Sequence, residues 1–274
     1  MARVDYERMA AVYDAARDRT LDQRQPWREA LAGYLPPRCG HAVLDLGAGS
    51  GQWSGAFTAW YGTPVVAVEP SAGMRAAASA KRLDQVRVVG GRAEAIPLRA
   101  GAVAAAWLSA VIHHFDDLDR CARELHRVLC GQGRVLVRGA FPNAPDLVDV
   151  VLLRWFPGAA RVLATYPSLG DTVAAFTRGG FALEAARGVV DLATTSLREA
   201  CERVRLRADT LLRLLPDDEF EEGLRRMEAE AAAEAGRDDE DPPGPVFGRL
   251  ALLVFAKQTP AARAEPSERD EEPA

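Results

Sequence analysis

The chain has 274 residues, of which 48% are hydrophobic and 27% are charged, and its formal net charge is −5. A chain of this length and composition buries a sizeable core, which favours a globular protein with one domain and an insertion. The acidic balance gives little electrostatic support for binding a nucleic-acid backbone or an anionic membrane surface. We therefore expect neither a nucleic acid nor a membrane among its partners.

Compartment and metal content are also constrained by the sequence. Residues 1–9 lack the apolar core of a signal peptide, and the longest run of low polarity, 101–112, is too short to cross a bilayer. A cytoplasmic protein is expected. The cysteines form no CxxC pair and have no clustered histidines near them, so we expect reduced thiols and no metal site. They are Cys39, Cys121, Cys130 and Cys201.

Short apolar runs alternate with helical patterns along the chain, which is typical of a parallel sheet with helices on both faces. The predicted strands are 42–46, 64–69, 86–90, 103–109 and 134–138, followed by extended segments at 181–192 and 249–257. The predicted helices are 52–61, 72–82, 118–129 and 169–178. We expect an α/β fold with a doubly wound, mostly parallel, seven-stranded sheet.

Helical segments are predicted on either side of this pattern. An N-terminal cap of residues 1–34, broken near 20–26, precedes a main domain of residues 35–257. That domain carries helical insertions at 144–166 and 196–236. In the second insertion, apolar stripes from Leu197 to Leu215 and from Phe220 to Ala231 predict two amphipathic helices that form a lid or a homodimer interface. An acidic, proline-rich break follows at 237–245, and the acidic tail 258–274 is predicted to be disordered.

The most informative segment is a strand that ends in a carboxylate and continues into a glycine-rich turn. Asp45 closes the first strand, Gly47-Ala48-Gly49-Ser50-Gly51 follows it, and Glu69 closes the second strand. The spacing is G-x-G-x-G, with Gln52 where a dinucleotide-binding turn has its third glycine. A bare turn of this kind suits a ligand without phosphates, Asp45 suits an ammonium group, and Glu69 suits a ribose diol. These features predict a nucleoside-binding crevice.

These residues resemble the class I S-adenosylmethionine-dependent methyltransferases, in particular the small-molecule branch that includes the quinone-biosynthesis enzymes. Asp45–Gly51 is similar to the first motif of the family, and Glu69 to its ribose-binding acid. Gly91–Leu98, Val111–Phe115 and Glu124–Gly133 resemble later motifs. The resemblance covers residues 10–140 and implies a Rossmann-like methyltransferase fold, S-adenosylmethionine as cofactor and a small-molecule acceptor.

The resemblance also implies a set of cofactor-binding residues. Tyr13 and Arg17 lie one turn apart on the predicted cap, where Arg17 either pairs with the methionyl carboxylate or forms a surface ion pair with a neighbouring aspartate. Arg92 stands where many relatives carry an aspartate, so adenine recognition is assigned to the Ala93 backbone or to Glu94. The other members of the set are Asp45, Gly47, Ala48, Gly49, Glu69, Pro70, Met74 and Ser109.

Two histidines supply the candidate chemistry. His113 and His114 follow the fourth strand, at the sheet edge where ligands bind in doubly wound folds. A neutral imidazole can take a proton from an acceptor hydroxyl or ammonium, and His114 aligns with the more regular histidine of the family. The alternative is that one or both histidines only stabilise the local loop. An aromatic set belongs either to the core or to the acceptor pocket: Trp155, Phe156, Tyr166, Phe176 and Phe181.

Taken together, the sequence predicts an enzyme that moves a methyl group from S-adenosylmethionine to oxygen, nitrogen or carbon of a small, partly apolar metabolite. Abundant arginine and only two lysines suggest a GC-rich genome and, loosely, secondary metabolism. One alternative is a nicotinamide oxidoreductase, which Gln52 disfavours. Another is a fold that binds S-adenosylmethionine but acts as a cyclase or as a regulatory binding protein without methyl transfer.

Overall fold

Seven β-strands form a single sheet in the computed structural model, which describes residues 6–35, 41–235 and 246–258. The strands are β1 (Ala42–Leu46), β2 (Val65–Glu69), β3 (Val86–Gly90), β4 (Val103–Ser109), β5 (Leu129–Gly139), β6 (Phe181–Thr194) and β7 (Val246–Lys257). Their order across the sheet is β3-β2-β1-β4-β5-β7-β6. The first five are parallel, and β7 runs antiparallel to both β5 and β6.

Helices flank the sheet on both faces and extend beyond its carboxyl edge. They are α1 (Tyr6–Arg17), α2 (Gln25–Leu31), α3 (Gln52–Tyr61), α4 (Ala72–Ala80), α5 (Leu118–Val128), α6 (Ala159–Leu163), α7 (Leu169–Arg178), α8 (Leu197–Arg205), α9 (Thr210–Arg213) and α10 (Asp217–Ala235). None of the helices in the described ranges combines the length and the apolar composition that crossing a bilayer requires.

Two apolar clusters lie on opposite faces of the sheet because its central strands are apolar on both sides. One face packs Leu44, Val68 and Leu125 with the aromatic rings that follow β5. The other packs Trp27 and Trp107 with the apolar side of α3. The order of the strands reverses between β1 and β4, and in a sheet of this kind the carboxyl ends at that point leave a crevice.

The structure corrects three details of the predicted helices and strands. Strand β5 begins at Leu129, directly after α5, and not at the predicted residue 134. In the insertion 196–236, the first predicted helix is broken between Arg205 and Thr210 into α8 and α9. Arg207, in the break, has φ +47°. Within 144–166, only the short turn Val151–Arg154 and α6 are helical.

The apolar stripes of the insertion pack within the chain. Cys201 of α8, Leu212 of α9 and Met227 of α10 belong to a third cluster together with Trp155 and Phe156. This cluster sits above the carboxyl ends of β5 and β6 and the amino end of β7, where it covers one side of the crevice. The predicted break at 237–245, the tail from 259 to 274 and Cys39 lie outside the described residues.

One buried carboxylate joins the N-terminal cap to the sheet. Asp191 on β6 accepts hydrogen bonds from the Trp27 indole N–H at 2.8 Å, from Arg138 on β5 at 2.7 Å and from Arg19 at 2.8 Å. Burial alone would raise the pKa of Asp191, but the guanidinium groups of Arg138 and Arg19 hold it well below its ordinary value. The carboxylate is therefore ionised at neutral pH and stabilises the fold there.

Replacing this carboxylate should destabilise the protein strongly. In Asp191→Asn the two guanidinium groups stay buried without a counter-charge, so we expect the free energy of unfolding to fall by about 3 to 5 kcal/mol. Asp119→Asn is the matched control, because the Asp119–Arg178 pair is largely exposed and should cost less than about 1 kcal/mol. Equilibrium unfolding in urea at pH 7 measures both. Equal losses in the two variants would contradict the prediction.

Candidate active site

The turn after β1 is held tightly against its neighbours. The backbone N–H groups of Gly47 and Ala48 donate to the Val68 carbonyl, at 2.8 and 3.2 Å. Gly47 has φ +70°, and a Cβ on it would lie 2.7 Å from Cγ1 of Val111. Only glycine fits this position without displacing the loop after β4, because the backbone is left-handed and the space is closed.

Glu69, at the end of β2, is buried and aimed at the turn. Its Oε2 accepts the Gly49 N–H and its Oε1 accepts the Ser71 N–H, both at 2.9 Å. Burial raises the pKa of this carboxyl. Each oxygen keeps a further lone pair, so the side chain is fixed in place and still able to accept hydrogen bonds from a ligand.

Asp45, at the end of β1, is also buried, with 2% of its surface exposed. Its Oδ2 accepts a hydrogen bond from the Ser54 hydroxyl at 2.7 Å. Burial raises the pKa of Asp45 to about 7. A cation placed beside it would favour the ionised form, so the environment of Asp45 suits a positively charged group of a ligand.

A cavity of about 790 Å³ opens in front of these strand ends, and we call it the main cavity. Its volume lies in the range of small-molecule binding sites. It brings together most of the residues that the sequence predicted for binding and catalysis. These are Tyr13, Gly47, Gly49, Glu69, Pro70, Met74, Ala93, Glu94, Ser109, His113 and His114.

Asp45 and Ala48 line a smaller neighbouring cavity of about 50 Å³, the side pocket, which shares Tyr13, Gly47 and Ser109 with the main cavity. Arginine side chains dominate its wall. They are Arg17, Arg19, Arg24 and Arg138. Of these the sequence predicted only Arg17, which the structure pairs with Asp209 in front of α9.

The side pocket carries an excess of positive charge. Arg19 and Arg138 share the single carboxylate of Asp191. The Nε atoms of both arginines are buried and have no hydrogen-bond partner in the described part of the chain. A buried donor of this kind calls for an acceptor, and an anionic one is favoured beside two guanidinium groups. An arginine at the end of the apolar strand β5 is the one sequence signal that could have pointed to Arg138.

The far end of the main cavity has a polar rim. Arg92 donates to Asp116 at 3.1 Å, and the Asp116 backbone N–H donates to Glu94 at 2.9 Å. Arg92 therefore occupies a network with acids rather than standing alone where relatives carry an aspartate. The Glu94 carboxylate is held at the cavity wall, beside Ala93.

The two histidines lie on a short 3₁₀ turn, Ile112–His114, and differ in their surroundings. His114 Nε2 is 2.7 Å from the Tyr6 hydroxyl, a hydrogen bond between α1 and the turn. His113 stacks on Tyr166 with 3.9 Å between ring centroids and a 3° angle between planes. Its Nε2 is buried and lacks a hydrogen-bond partner among the described residues.

Burial keeps both imidazoles neutral at physiological pH. It lowers the pKa of His114 to about 4 and that of His113 well below its ordinary value. A neutral ring can accept a proton or a hydrogen bond from a ligand. In the described ranges, no group of three or more His, Cys, Asp or Glu side chains is arranged to hold a metal ion.

The cap covers the main cavity through polar contacts of Glu7 and Asp14 that the sequence did not reveal. Glu7 accepts the N–H groups of Ala72 and Gly73, both at 2.7 Å, at the start of α4. Asp14 accepts from Gln52 at 3.0 Å and pairs with Lys81 at 2.8 Å. These contacts place Tyr13 over Gly49 of the glycine turn and Tyr6 against His114, so that the two rings form a roof over the cavity.

Comparison with known proteins agrees with this geometry. Residues 44–137 match the model of the methyltransferase domain. The chain is 31% identical over 189 residues to a demethylmenaquinone methyltransferase of Thermobifida fusca, an alignment that covers 61% of this chain and 79% of that protein. The chain belongs to the class I S-adenosylmethionine-dependent methyltransferases. It is of the small-molecule branch, as the motifs had indicated.

Solved structures of other methyltransferases share the fold. One is a protein of an antibiotic biosynthesis pathway from Anabaena variabilis, with 20% identity, a TM-score of 0.59 and coverage of 82% of this chain and 95% of that one. Another is geranyl diphosphate C-methyltransferase from Streptomyces coelicolor, with 16% identity, a TM-score of 0.52 and coverage of 86% and 77%. The doubly wound, mostly parallel fold expected from the sequence is confirmed.

The close contact between Gly47 and Val111 can be used to test whether the conformation of the glycine turn determines cofactor affinity. In Gly47→Ala the new Cβ meets Val111, so the turn shifts, and we expect affinity for S-adenosylhomocysteine to fall about tenfold or more. Gly62→Ala is the control, because Gly62 has φ +59° but no atom within 4 Å of its Cβ position. It should lose about 1 to 2 kcal/mol of stability and keep its affinity. Calorimetry that found equal affinity in the two variants would refute this role of Gly47.

Proposed function

We propose that this methyltransferase transfers the methyl group of S-adenosylmethionine to an oxygen, nitrogen or carbon atom of a small, partly apolar metabolite in secondary metabolism. One observation carries the proposal: a single cavity has Glu69 and the glycine turn in one wall and the two histidines in another. When bound, the cofactor supplies an electrophilic methyl group on a sulfonium. The protein has to position the acceptor in line with that methyl group and exclude water.

Glu69 is the residue best placed to hold the ribose. Its carboxylate is fixed by two backbone N–H groups and keeps lone pairs for the two hydroxyl groups of a ribose. A carboxylate also disfavours a phosphate at the same place, which agrees with a nucleoside that carries no phosphate. Ala93 and Glu94, further along the cavity, are the proposed neighbours of the adenine.

The side pocket matches the charges of the methionyl end. Asp45 would accept the ammonium group, which would return its raised pKa toward the ordinary value. The excess positive charge of Arg19 and Arg138 would be balanced by the methionyl carboxylate. We assign the carboxylate to these two arginines rather than to Arg17, because Arg17 already has Asp209 as its partner.

The histidines divide the remaining tasks. Tyr6 occupies Nε2 of His114, so His114 positions α1 over the cavity. Nε2 of His113 is left available to the acceptor.

The sequence analysis left open whether the aromatic residues after β5 belong to the core or to the acceptor pocket. Phe176 and Phe181 pack in the sheet core, whereas Tyr166 stacks on His113.

Methyl transfer and cofactor binding can be tested together. Incubation with S-adenosylmethionine labelled in its methyl group and a library of apolar phenols, amines and enolisable ketones should give a labelled product. In Glu69→Ala, loss of hydrogen bonds to a charged group should weaken S-adenosylhomocysteine binding by about 1 to 3 kcal/mol. Glu184→Ala, on the exposed edge strand β6, is the control and should bind normally. Normal cofactor binding without any labelled product would favour the cyclase or regulatory alternative.

The assignment of the methionyl carboxylate has a separate test. Arg19→Gln should weaken S-adenosylhomocysteine binding by about 10- to 100-fold, since it removes a charge-assisted hydrogen bond. It should leave the affinity for 5′-methylthioadenosine unchanged, because that nucleoside lacks the amino-acid end. Equal losses for both ligands in calorimetry would mean that Arg19 acts on the fold and not on the carboxylate.

A further inference from the structure

Two more cavities continue from the main cavity beneath the helical insertion. The middle chamber, of about 110 Å³, shares Tyr6, His113 and Thr210 with the main cavity. The inner chamber, of about 160 Å³, shares Val150 and Leu250 with the middle chamber. The three cavities therefore form a row that starts at the glycine turn and ends under α8 and α10.

The walls of this row change from polar to apolar along its length. The inner chamber is bounded mainly by aliphatic and aromatic side chains: Val151, Trp155, Val204, Leu212, Met227 and Val246. Arg17, Arg19 and Arg138 line both this chamber and the side pocket. Arg17 pairs with Asp209, and in the proposed complex the positive charge that the other two leave beside Asp191 is balanced by the methionyl carboxylate. An uncharged, apolar body is what such a space accommodates at lowest cost.

His113 stands at the boundary between the main cavity and the middle chamber. Tyr166 fixes its ring by stacking, and its Nε2 is buried without a hydrogen-bond partner in the described ranges. Buried polar atoms in proteins are nearly always paired, so an orphaned ring nitrogen that lines a cavity points to a ligand group. The matching group is a hydroxyl or an amine.

We propose that the middle and inner chambers bind the acceptor as an uncharged molecule with an apolar body of about two rings, whose hydroxyl or amino group lies at Nε2 of His113. The size follows from the volumes, because an apolar cavity of about 150 Å³ binds one benzene ring. The inference rests on the proposed function and deepens it: it makes the enzyme an O- or N-methyltransferase. It also makes His113, rather than His114, the base.

The proton and charge balance of this step is complete within the site. The acceptor oxygen or nitrogen forms its bond to the methyl carbon while the carbon–sulfur bond breaks and its electron pair stays on sulfur. The proton of the acceptor passes to Nε2 of His113. The sulfonium loses its positive charge as the imidazole gains one, so the desolvated site keeps the same net charge throughout. This compensates for the burial that otherwise disfavours a charged His113.

Binding of simple probes to the complex with S-adenosylhomocysteine tests the inference without turnover. We expect 2-naphthol to bind with a Kd below about 1 mM and about tenfold more tightly than naphthalene, which lacks the hydroxyl. His113→Phe keeps a ring to stack on Tyr166 but removes Nε2, so it should abolish the preference for 2-naphthol over naphthalene. No preference in the wild type, or a preference retained in His113→Phe, would overturn the proposal.

A second variant tests the chamber itself. Ala200→Phe, on the part of α8 that lines the inner chamber, should fill it and lower 2-naphthol affinity at least tenfold while S-adenosylhomocysteine still binds. Ala232→Phe, on the exposed side of α10, is the matched control and should change neither affinity. Unchanged 2-naphthol binding in Ala200→Phe would overturn the location of the site. Failure of the wild type to bind S-adenosylhomocysteine would instead refute the proposed function.

Discussion

The ion pair of Asp191 with the buried Arg138 and the partly buried Arg19 is the interaction on which fold and site both depend. A single carboxylate on β6 binds Arg138 from β5, Arg19 from the cap and the indole of Trp27. Removing this carboxylate would leave both guanidinium groups without their shared counter-charge, which is far more costly than losing an exposed pair. The cap is therefore fixed to the sheet edge by electrostatics as well as by packing. Two guanidinium groups on one carboxylate leave one positive charge in excess, at the place where we propose that the methionyl carboxylate binds.

Closure of the site follows from this attachment. The cap reaches across the strand ends, where Glu7 caps α4, Asp14 contacts the glycine turn and Arg17 meets Asp209 of the insertion. Each contact joins a charged side chain to a different element. The roof over the cavity thus combines separable polar contacts with a small apolar cluster, in which Met9 and Ala16 of the cap pack against Met74 and Ala208. Such a roof excludes water from the space beneath it, which methyl transfer requires.

The local features of the fold could be predicted because their causes are local. Strands β1, β3 and β4 have the predicted bounds, since apolar runs end at a carboxylate, a glycine or a serine. The glycine turn and Glu69 were found for the same reason, because a turn and a strand end are written in consecutive residues. The break between α8 and α9 was missed because the stripe from Leu197 to Leu215 continues in phase across it. The periodicity of apolar residues indicates which residues are buried, but it does not indicate whether the backbone bends between them.

The polar part of the site was harder to predict because its pairings are long-range. Arg17 was expected at the cofactor, yet its partner Asp209 lies 192 residues away, and Asp191 is 53 residues from Arg138. No spacing rule connects such residues, and only the assembled sheet shows which arginines remain short of an acceptor. The topology of the sheet brings the ends of β5 and β6 to the cap, and this is why several arginines line one wall of the side pocket.

His113 and His114 show how neighbouring residues of one type acquire different roles. They share a 3₁₀ turn and their ring centroids lie 4.0 Å apart, yet one ring bonds to Tyr6 of the cap and the other stacks on Tyr166. Burial makes both rings neutral, and what separates them is whether the protein itself supplies a partner for Nε2. The cap supplies one for His114, which joins that ring to α1. No described residue supplies one for His113, and this is why we propose that His113 rather than His114 receives the proton of the acceptor.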